Sequence, residues 1–84
     1  TIDQQFPAMK LLLVEDEPDL LSLMERYLKR EGYLCEHATN FKEGYIKVNN
    51  YEYDCAIIDL NLPGGDGLKL VKILREDNST TGIH

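Results

Sequence analysis

Acidic side chains follow the two most apolar segments of the chain. Glu15 and Asp16 come directly after the run Lys10–Val14, and Asp59 comes directly after Cys55–Ile58. Consecutive apolar residues are typical of parallel strands that are covered on both faces. Because the carboxyl ends of parallel strands lie along one edge of a sheet, we expect these three carboxylates to converge.

Convergent carboxylates favour a metal site. Two negative charges about 5 Å apart repel by roughly 3 kcal/mol at an effective dielectric constant near 20, which is a large share of a small domain's stability. A divalent cation offsets that repulsion, and a few carboxylates with retained water suit Mg²⁺ better than Ca²⁺. The sequence therefore predicts a Mg²⁺ site at Glu15, Asp16 and Asp59.

A capping role is the alternative for the first group of acids. Glu15, Asp16 or Glu17 could cap the first helix, since acidic side chains are favoured at helix N-termini. The same alternative does not suit Asp59, because Pro63 and two glycines separate it from the third helix. For Asp16 taken alone, the sequence leaves capping and metal binding open.

The elements that position these acids alternate between strands and helices. Strands are predicted over 10–14, 33–38 and 55–58, and 82–84 resemble the start of a fourth strand. Apolar residues at helical spacing mark three helices, through Leu20, Leu21, Met24, Tyr27 and Leu28, through Phe41, Tyr45 and Val48, and through Leu70, Val71 and Leu74. This alternation predicts an α/β fold with helices on both faces of a parallel sheet.

Local signals refine this arrangement. The mixed composition of 33–38 predicts a strand at the edge of the sheet. Gly32 is expected to end the first helix in a left-handed conformation. Asn40 and Glu43 resemble a capping box at the start of the second helix. The segment from Gly64 to Gly67 is interpreted as a tight turn, since it lacks the spacing of a phosphate-binding loop.

Composition limits the classes of function. Nine basic and fifteen acidic side chains give the 84 residues a net charge of −6, which disfavours contact with nucleic acid phosphates. No apolar run approaches the ~20 residues that cross a bilayer, and Cys35 and Cys55 lack the spacing of a metal site. We expect a soluble, cytoplasmic domain over 9–84 with reduced cysteines, preceded by an extension over 1–8.

Two segments match a known family in residue type and in spacing. They read LLLVEDEP and YDCAIIDLNLPGGDGL, and they resemble the receiver domain of bacterial two-component response regulators. The resemblance covers about Met9 to His84 and implies a flavodoxin-like, doubly wound parallel sheet. Its expected strand order is 2-1-3-4-5, of which this chain holds 2-1-3.

The resemblance also implies roles for particular residues. Asp59 would accept a phosphoryl group from a sensor histidine kinase in a Mg²⁺-dependent reaction. Asp16, Asp59 and the backbone carbonyl of Asn61 would bind the ion directly, and Glu15 would bind it through water. Signalling of this kind is self-modification and not catalysis on an external substrate.

Further groups implied by the resemblance fall outside this sequence. In the family a Ser or Thr after the fourth strand and a Lys after the fifth contact the phosphoryl group, and both would follow His84. We therefore expect a longer protein in which a DNA-binding output domain controls transcription. An incomplete sheet would expose the third strand or the third helix, and we expect homodimerisation there.

Three other functions share parts of this pattern. A receiver-like interaction module without phosphorylation would not need the acids at positions 15, 16 and 59. An aspartyl-nucleophile phosphatase would carry the motif D-x-D-x-T/V, whereas Leu60, Asn61 and Leu62 follow Asp59. A flavin binder needs a phosphate loop rich in Ser and Thr after the first strand, where acids stand instead. The sequence favours the phosphoacceptor.

Overall fold

The computed structural model describes residues 9–77 and 82–84, so the expectation of an extension over 1–8 lies outside the described residues. The strands are β1 (Lys10–Val14), β2 (Leu34–Ala38), β3 (Cys55–Ile58), β4 (Asn61–Leu62), β5 (Gly65–Asp66) and β6 (Gly82–Ile83). The helices are α1 (Pro18–Arg30), α2 (Phe41–Asn50) and α3 (Gly67–Asp77). Within the described part of the chain, no helix is long and apolar enough to cross a membrane.

The main sheet is parallel and has the order β2-β1-β3-β6. This order confirms the predicted 2-1-3 arrangement and the edge position of β2. Val14, the last residue of β1, lies beside Ala38 of β2 and Ile58 of β3. Because β1 and β3 are neighbours that end level with each other, the residues that follow them leave the sheet side by side.

The third strand is not an edge strand, which corrects the expectation that it would be open to a second chain. β6 pairs with its outer side, the His84 N–H donates to the Ala56 carbonyl at 2.8 Å, and the Ile58 N–H donates to the His84 carbonyl at 2.9 Å. A short segment at 82–84 is enough to occupy the backbone groups of β3. The predicted fourth strand is thereby confirmed.

Helices cover both faces of the sheet, as predicted. Leu12 and Val14 of β1 belong to a buried cluster that includes Val48 of α2 and Leu70 of α3. The alternate residues of β1 point to the opposite face, which α1 covers. There the His37 ring of β2 bonds to the Glu25 carboxylate of α1 at 3.0 Å.

The buried face of α1 is rotated from the predicted one. Leu21 is buried, and Met24 and Leu28 are half-buried, at the spacing of one helix face. Leu20 and Tyr27 were expected on the same face but are 44% and 61% exposed. Leu20 and Tyr27 are each followed in the sequence by a residue that faces inward. When two adjacent residues are both apolar, the sequence does not show which one of them faces the sheet.

The helix ends follow the local signals. Gly32, just after α1, has φ of +97° and confirms the left-handed end. The Asn40 side chain accepts the Glu43 N–H at 2.9 Å, which confirms the cap of α2. The return bond differs from a capping box, because the Glu43 carboxylate accepts the N–H and the hydroxyl of Thr39. These bonds lower the pKa of Glu43.

A polar network joins β2 to the residues that precede β3. The hydroxyl of buried Tyr53 donates to Glu36 Oε1 at 2.9 Å, and Lys10 Nζ lies 3.1 Å from Glu36 Oε2. The Tyr53 hydrogen bond lowers the pKa of Glu36. Partial burial acts in the opposite direction, and Lys10 and Lys47 lower the pKa further. Burial, together with the same bond, raises the pKa of Tyr53, so the phenol remains a donor.

Tyr53→Phe is expected to destabilise the fold by about 1 kcal/mol at neutral pH, because Glu36 loses a donor while the ring still packs. The pKa of Glu36 is lowered on folding. The stability that ionised Glu36 contributes to the fold is therefore present above its unfolded-state pKa and is lost as the pH falls through its folded-state pKa. Urea unfolding should show that the difference in free energy of unfolding between parent and variant becomes smaller as the pH is lowered. Exposed Tyr27→Phe is the neutral control, and a difference independent of pH would contradict the assignment.

Candidate metal centre

Three carboxylates meet at the carboxyl edge of the sheet. Oxygen atoms of Glu15, Asp16 and Asp59 all lie within 4.8 Å of one another, with Asp16 exposed and the other two half-buried. The predicted convergence of these residues is confirmed. Carboxylate oxygens at this separation suit a hard divalent cation such as Mg²⁺.

Backbone hydrogen bonds continue the strand pairing into the site. The Glu15 N–H donates to the Ala38 carbonyl at 3.0 Å, and the Asp59 N–H donates to the Val14 carbonyl at 2.9 Å. The backbones of Glu15 and Asp59 are therefore each held by a neighbouring strand. The cluster follows directly from the register of β1 with β2 and β3.

Glu17, and not Asp16, caps α1. The Glu17 carboxylate accepts the Asp19 N–H at 3.1 Å, and Pro18 stands in the first turn, where its missing N–H costs nothing. The Glu15 carboxylate in turn accepts the Glu17 N–H at 3.1 Å. The capping alternative therefore applies to Glu17, while the Asp16 carboxylate lies in the cluster.

A hairpin of β4 and β5 follows Asp59. The Asn61 N–H donates to Asp59 Oδ1 at 3.0 Å, so the fourth predicted ligand residue is held against the acid. Asp66 Oδ1 accepts the Leu68 N–H at 2.9 Å and serves the first turn of α3. The predicted turn is present, with Gly64 at φ +84°, but the two short strands around it were not predicted.

Gly67 brings the start of α3 against the backbone of Asp59. A Cβ at this position would overlap the Asp59 carbonyl oxygen and lie 2.9 Å from Leu60 Cα. The Gly67 N–H donates to the Leu60 carbonyl at 3.2 Å. Its φ is not in the left-handed region, so lack of space, and not backbone conformation, requires glycine here. Sequence reasoning placed Gly67 in the turn and missed this contact.

The two cysteines are free thiols outside the cluster. Cys35 and Cys55 both lie beside Leu11, on opposite sides of β1. Two strand spacings separate them by about 10 Å, which is too far for a disulfide. Burial raises the pKa of both thiols and keeps them protonated.

Comparison with known proteins identifies the family. Residues 11–84 match the response regulator receiver domain, and the chain belongs to that family. Solved response regulators share its fold, which confirms the predicted flavodoxin-like receiver architecture.

Relatives include proteins of two kinds. The chain is 37% identical over 71 residues to the transcriptional regulatory protein ResD of Bacillus subtilis, covering 84% of this chain and 30% of ResD. It is 36% identical over 75 residues to the sensor protein EvgS of Escherichia coli, covering 89% of this chain and 6% of EvgS. The chain thus spans a minor part of the length of both relatives.

One solved relative is the response regulator TrrA of Thermotoga maritima. Its structure in complex with Mg²⁺-BeF has a TM-score of 0.82 and 32% identity, covering 89% of this chain and 65% of that chain. TrrA has also been solved in complex with the histidine kinase ThkA, with a TM-score of 0.80 and the same identity and coverage.

Proposed function

We propose that this receiver domain accepts a phosphoryl group on Asp59 from a sensor histidine kinase in a Mg²⁺-dependent reaction. Glu15, Asp16, Asp59 and the backbone carbonyl of Asn61 would hold the ion. The observation that carries the proposal is the convergence of three carboxylates within 4.8 Å at the ends of two adjacent strands. The complexes of TrrA with Mg²⁺-BeF and with ThkA support it.

The reaction forms one bond and breaks one bond. An Asp59 oxygen attacks phosphorus, the P–N bond to the donor histidine breaks, and the histidine nitrogen keeps the electron pair of that bond. The product is an acyl phosphate on Asp59. Bound Mg²⁺ would neutralise charge on the carboxylates and on the transferring group. The Asn61 N–H, which bonds Asp59 Oδ1, orients the nucleophile.

Phosphorylation would then act as the signal. The phosphoryl group carries about −1.5 to −2 charge at neutral pH, and it replaces the single charge of the Asp59 carboxylate beside Glu15 and Asp16. We propose that residues 9–84 belong to a receiver within a longer cytoplasmic protein and that a DNA-binding output domain reads this change. The ResD relative supports transcriptional control. Contact with DNA would fall to the output domain, since this chain carries a net charge of −6.

A receiver attached to a sensor protein is the second candidate, because EvgS contains a similar segment. Homodimerisation through α3 also stays a proposal. β6 removes the case for a dimer through β3, since it occupies the outer side of that strand.

Treatment of the intact protein with acetyl phosphate and Mg²⁺ is expected to give one phosphoryl adduct, at Asp59. The adduct should be alkali-labile and sensitive to hydroxylamine, because it is an acyl phosphate. Intact mass and mapping of the resulting hydroxamate would locate it, and EDTA should prevent its formation. Exposed Glu52→Gln is a matched control that should react like the parent. Failure to form the adduct would favour an interaction module without phosphorylation.

A further inference from the structure

We propose that Phe41 is a positioning residue for the Asp59 site. It holds the β4-β5 hairpin in the place from which Asn61 bonds to Asp59. This role depends on the proposed Mg²⁺ and phosphoacceptor function and extends it to a residue of α2 that lies outside the carboxylate cluster.

Phe41 contacts the hairpin in two ways. Its N–H donates to the Pro63 carbonyl at 3.0 Å. Its ring lies so close to Gly65 that a Cβ on the glycine would be 2.5 Å from Phe41 Cγ and 2.7 Å from Cδ1. Gly65 does not have a positive φ, so its lack of a side chain serves the fit against the ring. A large aromatic residue and a glycine thus form one complementary contact.

The hairpin connects this contact to the site. Gly65 pairs with Leu62 across the hairpin, and Leu62 is buried in the core cluster. Asn61, the preceding residue, donates its N–H to Asp59 Oδ1 at 3.0 Å. A shift of Gly65 therefore moves Leu62, and with it both backbone groups of Asn61, one of which bonds Asp59 while the other is the proposed metal ligand.

Phe41 itself is held in place by helix α2 and by the core. The Asn40 side chain caps α2 through the Glu43 N–H, so the backbone of Phe41 is set by the helix. Its ring packs against the core cluster and lies 5.9 Å from the Tyr45 ring, centroid to centroid. The hairpin therefore rests on a support that belongs to the folded core.

Phe41→Ala is expected to weaken Mg²⁺ binding by about 10-fold, in the range found when residues that orient metal ligands are replaced. Isothermal titration calorimetry of the intact protein with MgCl₂ would measure this change. Hydrogen exchange of the Asn61 amide, measured without metal, should become faster, because its bond to Asp59 loses support. If Phe41→Ala fails to fold, Phe41→Leu allows the same two measurements.

Val48→Ala is the control for a general loss of packing. Val48 is buried in the same core cluster and lies two turns further along α2. Its replacement should also reduce stability, because two buried methyl groups are removed, but it should leave Mg²⁺ affinity and Asn61 exchange unchanged. Equal effects of Val48→Ala and Phe41→Ala on Mg²⁺ affinity would overturn the positioning role.

Gly65→Ala tests the same contact by adding volume. It should also weaken Mg²⁺ binding, and Phe41→Ala in the same protein should restore part of the affinity, because Cγ and Cδ1 are removed. A parent that binds no Mg²⁺ would overturn the proposed function and this role together. A parent that binds Mg²⁺ no better than Phe41→Ala and Gly65→Ala would overturn the positioning role alone.

Discussion

Replacing Asp59 with asparagine is expected to abolish phosphoryl uptake from acetyl phosphate and to stabilise the metal-free protein. Uptake is lost because a neutral amide lacks the nucleophilic oxygen of a carboxylate. Stability rises because one of three charges whose oxygens lie within 4.8 Å is removed. A pair at this distance repels by about 3 kcal/mol at an effective dielectric constant near 20, and by about 1 kcal/mol in a water-like dielectric.

In the presence of Mg²⁺, we expect the parent to be more stable than Asp59→Asn. In the parent the ion would bind the folded state and raise the melting temperature by an amount that grows with the logarithm of its concentration above the dissociation constant. Asp59→Asn lacks one ligand and should respond less. Thermal unfolding of both proteins in EDTA and across a MgCl₂ series would measure the two effects.

Glu52→Gln removes the same charge from an exposed position outside the cluster and provides the control. It should neither stabilise the metal-free protein as Asp59→Asn does nor lose the response to Mg²⁺. If the two variants have equal melting temperatures in EDTA, repulsion within the cluster is not a significant destabilising force. The electrostatic case for a metal would then be wrong.

The convergence of Glu15, Asp16 and Asp59 could be predicted because it depends on few facts. Two apolar strands had to be parallel and adjacent, and each had to end in an acid. The acids at the strand ends are visible in short stretches of sequence, and the resemblance to receiver domains implied that the two strands are neighbours. The register of β1 with β3 confirms that they are. The prediction did not require any knowledge of how the helices pack.

The supports of the site could not be predicted in the same way. Gly65 and Gly67 read as turn residues in the sequence, whereas the structure shows that each one is needed for close approach. The partner of Gly65 is Phe41, which lies 24 residues earlier in the chain. A local pattern carries no signal for such a contact, and it cannot distinguish a glycine required for its φ from one required for space.

The outer side of β3 shows a similar limit. Three residues at 82–84 were recognised as a strand, but such a short segment was expected to leave β3 open. The backbone groups of His84, just after β6, bond Ala56 and Ile58. The pairing of β6 with β3 thus depends on backbone hydrogen bonds, which a pattern of side chains in the sequence does not reveal.

Gly67→Ala is expected to destabilise the fold by about 3 kcal/mol, at the upper end of the cost of overpacking. The added Cβ would overlap the carbonyl oxygen of Asp59 and press on Leu60 Cα. Both are backbone atoms, which cannot turn away as the end of a flexible side chain can. Relief therefore requires α3 or the Asp59 backbone to move, and Mg²⁺ affinity should fall together with the free energy of unfolding.

Gly32→Ala separates this effect from the general cost of replacing glycine. Gly32 has φ of +97°, and apart from its two chain neighbours no described residue has an atom within 4 Å of the position that a Cβ would take there. Its replacement should therefore cost about 1 kcal/mol of backbone strain. It follows α1 at the end remote from Glu17, and Mg²⁺ affinity should not change. Calorimetric titration and urea unfolding of both variants would give the comparison. A Gly67→Ala protein that loses stability but binds Mg²⁺ like the parent would show that α3 does not set the position of Asp59.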